Sequence, residues 1–215
     1  MWSDALLSDG ASKKPLGPMR KRLIILILSV PLISGCPFAW RVGQQPTVSS
    51  WPLQTERGKR TISLIITAKR IVKDEEREVL PSELKAWQDQ VVAAFQESGV
   101  FSEVRLDSSG SDLQAEVNIV DRTSRHEVLN ILYLITVGII PSYGSYEPII
   151  TTKIKNKDGQ VLGNFEHSQK IKFVAQILLY PIHWFWSFIP FQVEKRTIYD
   201  MERLTISEAH EKRIF

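Results

Sequence analysis

An apolar run of eleven residues, Leu23 to Ile33, lies between a basic cluster and the chain's only cysteine. It separates a stretch that reads as an address from the stretch that must fold. Arg20, Lys21 and Arg22 precede the run, Ser29 and Pro31 interrupt it mildly, and the small residues Ser34 and Gly35 close it before Cys36. A positive segment, an apolar segment and small residues in that order form the three-part layout of an export signal. The apolar part is too short to span a bilayer as a helix, which takes about 20 residues. Upstream, "MWSDALLSDGASKKPLGP" is polar and punctuated by Gly and Pro, with no helical or strand period. Residues 1–18 therefore read as an over-extended start and 19–35 as the signal peptide.

The order "ISGC", Ile33-Ser34-Gly35-Cys36, resembles the lipobox of bacterial lipoproteins, with Ile33 where leucine is commoner. The resemblance implies cleavage between Gly35 and Cys36, a diacylglyceryl group on the Cys36 thiol and a fatty acid such as palmitate on the new amine. At ~0.8 kcal/mol per buried methylene, several acyl chains hold a protein on a membrane where one would be marginal. Pro37 follows the cysteine, where aspartate would imply retention at the inner membrane. The resemblance therefore implies the periplasmic face of the outer membrane, with the inner membrane the lesser alternative.

The net charge of +3 suggests nucleic acid until it is located. Residues 1–35 hold five of the 27 basic groups and two of the 24 acids, which leaves 22 of each from Cys36 onward. A formally neutral body lacks the basic footprint of a nucleic-acid binder, so no such partner is expected. A single cysteine also excludes an intrachain disulfide.

Residues 36–60, rich in Pro, Ser, Gln and Gly, read as a lipidated tether. As a coil, the 24 residues after Cys36 would span about 27 Å. Phe38, Trp40 and Trp51 are candidates for the headgroup region, where aromatic rings are at home. Residues 61–215 read as a single domain. Thr61–Val72 is a β-branched strand, followed by the charged turn "KDEERE". "PSELKAWQDQVVAAFQESG" predicts a helix with Ser82 as N-cap. Leu84, Trp87, Val91, Ala94 and Phe95 share one face, and Gly99 is the stop. Two strands, "VFSEVRLD" and "LQAEVNIVD", follow. In Ser145–Ile171, Ile150, Thr152 and Ile154 alternate with Thr151, Lys153 and Lys155 ahead of an Asp158-Gly159 turn, which predicts a hairpin. A charged helix over about Glu194–Arg213 carries Ile198, Met201, Thr205 and Ala209 on one side. The fold class expected is α+β: a small, mostly antiparallel sheet with a packed helix and a C-terminal helix.

Two apolar Pro-containing stretches, Val128–Gly144 and Phe173–Phe191, stand apart. Neither is a clean spanning helix, because one is short and the other is broken by Pro181 and Pro190. "VGIIPSYGSY", a hairpin and a second apolar segment together resemble a group of small uncharacterised bacterial envelope lipoproteins with a Gly–aliphatic–aliphatic–Pro–Ser turn. That resemblance implies an architecture and no activity. The stretches are either core or a membrane or partner contact. Trp184, Phe185, Trp186 and Phe188 are the candidate contact residues, since so many bulky rings do not all fit one buried helical face.

No catalytic constellation emerges. His126, His167, His183 and His210 are scattered, without a second ligand at metal spacing. Ser124 and His126 are close in sequence only. No Gly-rich phosphate loop is present, and no carboxylate pair is read on an apolar face. The expectation is no enzyme, no metal and no cofactor. What remains is a lipid-anchored envelope protein with a structural or interaction role, held by its N-terminal lipid and meeting an envelope protein partner. The alternative is a binder or carrier of a lipid-like apolar ligand.

Overall fold

The alternating strand patterns assemble into one sheet. The computed structural model describes residues 36–43, 48, 50–54, 59–106, 110–176 and 190–215. Among these are eight strands: β1 (Cys36–Arg41), β2 (Arg60–Val72), β3 (Glu75–Arg77), β4 (Phe101–Leu106), β5 (Leu113–Arg125), β6 (Ser142–Asn156), β7 (Val161–Ser168) and β8 (Ile171–Gln176). The three helices are α1 (Pro81–Glu97), α2 (Glu127–Ile135) and α3 (Pro190–Glu211).

The strand order is β1-β8-β6-β5-β2-β3, with β4 beside the first half of β2 and β7 beside the second half of β6. β7 and β8 run in line along β6, broken at Gln169 and Lys170, where the Gln169 amide donates to the Pro148 carbonyl at 3.2 Å. The expected class holds in part. Strands and helices are mixed as anticipated, and five pairings are antiparallel, but the sheet is not small. Its middle is parallel, β2 running with both β4 and β5. The β2–α1–β4 crossover accounts for that, since a helix returns the chain to the same end of the sheet.

One face is dry. On β5, Leu113, Ala115, Val117, Ile119 and Asp121 are buried, while Asn118 and Arg122 point to solvent. α1 and α3 pack side by side on the dry face, bringing Trp87, Val91, Ala94, Phe95, Ile198, Met201 and Ile206 against Ile62, Leu64, Ile119, Ile150 and Ile154. The opposite face mixes polar side chains with half-buried apolar ones such as Ile65, Val120 and Ile149; there Thr67 donates to Asn118 at 3.3 Å.

Three local expectations are corrected. Leu80, not Ser82, is the N-cap of α1, because Pro81 occupies the first helical position, where its missing N–H costs nothing. The charged turn is a hairpin: Lys73 and Asp74 both take positive φ (54° and 64°), and β3 folds back on β2. The tether is in part sheet. Cys36–Arg41 pairs with β8 from Cys36↔Gln176 to Arg41↔Ile171, and Pro37 is tolerated because this is an edge strand. Trp51 and Leu53 pack on the main core, and the Arg203 guanidinium lies 4.8 Å from the Trp51 ring. Trp51 therefore belongs to the body rather than to a headgroup layer.

Candidate functional site

The register gathers the unusual residues at one end of the sheet. β5 ends at Arg125, β6 begins at Ser142, β8 ends at Gln176 and β1 begins at Cys36. The pairs Ser142↔Ala175 and Cys36↔Gln176 place these four strand ends together. The Gln176 side-chain amide donates to the Ile139 carbonyl at 3.1 Å, which ties the chain after α2 to the partner of Cys36.

α2 caps this end. The His126 Nδ1 accepts the Leu129 amide at its N-terminus, and Asn130 faces the body, where the Ser142 hydroxyl donates to its side-chain oxygen at 3.4 Å. None of its residues is buried. Val128, Ile131, Leu134, Ile135, Val137 and Ile139 are exposed, Ile135 by 72% and Leu134 by 66%. The core reading of the first apolar stretch is thus overturned for α2 and the turn after it. Val137 has φ of 53°, a left-handed conformation that is costly for a β-branched residue, and its side chain points outward nonetheless. Among the described residues, no helix is long and apolar enough to cross a membrane.

Beside α2 is a cleft of about 560 Å³ on the solvent side of the sheet, lined among others by Trp40, Arg125, His126, Tyr143, Lys170 and Lys172. No carboxylate is among the described residues that line it. Arg125 is braced over the Phe173 ring at 5.9 Å, and Phe173 in turn lies so close against Gly144 that a Cβ there would run into the ring. A second cleft adjoins it through Ser124, Arg125, Ser145 and Lys170, and is mixed in charge, with Asp74, Glu127 and Glu147 facing Lys73 and Arg122. Lys73 and Glu127 form an ion pair there.

Under the same end, on the dry face, charges are buried. The Arg70 Nε donates to Asp121 at 2.7 Å and its Nη1 to Glu83 at 3.0 Å, with the guanidinium 5.6 Å from the Trp87 ring. The Thr123 hydroxyl donates to the same Asp121 oxygen at 3.1 Å. Arg70 thereby joins β2, β5 and α1. Glu194, near the start of α3, is 5% exposed, and burial pushes its carboxyl up to about 8, with the Asp121 charge adding to the effect. Two turns further, the fully buried Glu202 accepts from the Thr152 hydroxyl at 3.0 Å, and burial pushes it up to about 7. The expectation of no carboxylate pair on an apolar face is therefore corrected. Both acids sit on the buried face of α3, but neither lines the clefts described above. They act within the core.

Trp184, Phe185, Trp186, Phe188 and His183 lie outside the described residues, as does Gly35. Ser124 and His126 line the same cleft, but the His126 Nδ1 is engaged by the helix cap. His167 lies 3.6 Å from Glu208, and His210 stacks on Phe215, both away from this end. Among the described residues, no three His, Cys, Asp or Glu side chains are grouped as a metal site requires. The sequence carries no signal for the cleft itself, because its residues come from β1, β5, β6 and β8 and meet only once the register is known. Periodicity signals which face a residue occupies, not which strand stands beside it.

No family model matches the sequence, and no curated protein is similar to it. Among solved structures, a minor lipoprotein from Acinetobacter baumannii is similar at a TM-score of 0.41 and 10% identity, over 71% of this chain and 94% of that one. A putative neuraminyllactose-binding hemagglutinin homolog from Helicobacter pylori is similar at 0.33 and 14%, over 73% and 97%. A PelC dodecamer from Paraburkholderia phytofirmans, in the form of a point variant, follows at 0.28 and 10%, over 74% and 95%. All three scores are low, and no function is carried over from them.

Proposed function

We propose that the chain is an exported lipoprotein of the bacterial envelope, cut before Cys36, acylated there and held on the periplasmic face of the outer membrane. Its role is structural or interactive rather than enzymatic. The observation that carries this reading is that the cysteine ending the signal-like segment is the first residue of β1. An acyl anchor at that point is joined directly to the sheet, without a tether between. It also emerges at the end where α2 exposes apolar side chains to solvent, as a membrane-bound body would be expected to do.

Growth with labelled fatty acid tests the reading through Cys36→Ala in the full chain. The native protein should carry label and run at the cut size, and the variant should be unlabelled and uncut. A variant that still takes up label would sink the reading. The second reading, a binder of a lipid-like ligand, is favoured by Trp40 and Tyr143 at the cleft. It predicts a lipid that co-purifies in a fixed ratio with the protein after exhaustive detergent exchange.

A further inference from the structure

We infer that α2 and the cationic cleft beside it form a second membrane contact, in which the apolar side chains of α2 enter the interface while Lys170 and Lys172 take the phosphates of acidic lipid headgroups. The inference rests on the anchoring proposed above and adds what that anchoring leaves open: which surface of the domain meets the bilayer, and which lipids it selects.

Three observations converge. The first is chain length. Cys36 pairs directly with Gln176, and Gln176 is hydrogen-bonded to the Ile139 carbonyl, so an acyl group on Cys36 places α2 and its following turn at the membrane with no linker to hold them away. The second is composition. A helix that leaves Val128, Ile131, Leu134 and Ile135 to water, continued by exposed Val137 and Ile139, needs an apolar medium on that side. At nine residues α2 cannot span, which leaves it lying in the interface.

The third is charge. A purely apolar partner would ask nothing of the cleft, yet the charged side chains on its solvent-face wall are Lys170 and Lys172, no carboxylate is among the described residues that line it, and Trp40 and Tyr143 stand beside them. Trp and Tyr belong at headgroup depth. Lysine and arginine held next to an inserted apolar face are what an anionic lipid surface attracts. The acids at this end, Asp74, Glu127 and Glu147, are confined to the adjoining cleft, and Glu127 is paired with Lys73. Lys172 thus stands on the side that carries the aromatic rings, and Lys170 lies where the two clefts meet.

The test uses the mature acylated protein in vesicles. Acylation blocks the native thiol, so an added cysteine is the one site for a thiol-reactive fluorophore. Ile131→Cys reports α2, and Asp158→Cys reports the β6–β7 turn at the opposite end of the sheet. Quenching by bilayer-embedded nitroxide lipids is read in phosphatidylethanolamine vesicles with and without phosphatidylglycerol. The expected result is strong quenching at 131, little at 158, and weaker quenching at 131 without phosphatidylglycerol. Lys170→Gln/Lys172→Gln should lower the docked-to-undocked ratio by about fivefold for each lysine. Both lysines are exposed on the sheet, so the fold is not at stake. Equal quenching at 131 and 158, or indifference to phosphatidylglycerol, would overturn the seat. Release by inorganic phosphate beyond that by chloride at the same ionic strength would make the cleft a soluble-phosphate site and also overturn it. Intact mass read before labelling separates the two proposals. A chain without acyl groups removes the anchor and the seat that rests on it, whereas an acylated chain unquenched at 131 removes the seat alone.

Discussion

Glu202→Gln should erase a loss of stability that the native chain suffers between acid and mildly alkaline pH. Glu202 is fully buried beneath the sheet, one oxygen accepting from Thr152 and the other without a partner among the described residues. Burial holds its carboxyl at about 7, against 4.5 when exposed, and the Thr152 hydrogen bond opposes this only in part. As pH rises from 4 to 8 the unfolded chain gives up this proton first, so unfolding gains. The stabilisation is complete below the unfolded value and is lost as pH rises through about 7. At ~1.4 kcal/mol per pKa unit, the difference amounts to about 3 kcal/mol, a sizeable share of the ~5–15 kcal/mol that holds a domain folded.

Glutamine keeps the acceptor for Thr152 but puts an amide donor where no partner waits, at a cost of about 1–3 kcal/mol that does not vary with pH. The informative quantity is thus the change with pH in the difference between native and variant stability. Glu194 titrates in both proteins and lies eight residues away on α3, about 12 Å along the helix, so its contribution cancels. Urea unfolding at pH 4, 6 and 8 supplies the numbers. The native protein should lose about 3 kcal/mol relative to Glu202→Gln across that range, chiefly between pH 5 and 7. A difference flat to within ~0.5 kcal/mol would refute the claim that this acid is neutral in the folded core.

Two further substitutions probe the same end of the molecule. Arg70→Met keeps apolar volume but strands Asp121 in the core without its cation, and should cost about 3–5 kcal/mol by urea unfolding. A cost below ~1 kcal/mol would contradict the claim that the Arg70–Asp121 pair holds β2, β5 and α1 together. Gly144→Ala forces a methyl against the Phe173 ring and within 2.8 Å of the Ser124 carbonyl, which should cost about 1–3 kcal/mol and displace Arg125 from its stacking position. An unchanged melting temperature would mean that Phe173 has room to move.

The parts of the fold visible in the sequence are those set by neighbours along the chain. β5 alternates because one face is dry, and α1 shows its stripe of Trp87, Val91, Ala94 and Phe95 because those four residues are its buried contact. Long-range pairing leaves no such mark. The parallel seam between β2 and β5 joins segments some fifty residues apart, and either strand would look the same in an antiparallel sheet. β1 hides behind Pro37 and a polar sequel, since an edge strand can be short and hold a proline. Lys73-Asp74 is not a residue pair that signals a tight hairpin, whereas Asp158-Gly159 is.

The site divides in the same way. The "ISGC" order is local, and α2's surplus of apolar residues is visible as a stretch in need of explanation. Its exposure is not legible, because a helix apolar on most sides is equally at home in a core. Glu194 and Glu202 read as part of a charged helical face, and only the packing of α3 on the sheet shows them turned inward. Arg70, Glu83, Asp121 and Glu194 come from four separate elements, so no window of sequence contains their cluster.

The measurement that bears most directly on the central claim is the intact mass of the protein taken from the membranes of an expressing bacterium. The expected species begins at Cys36 and carries a diacylglyceryl group with a further acyl chain. A chain that still begins at Met1 or Met19, with the Cys36 thiol free, would contradict it.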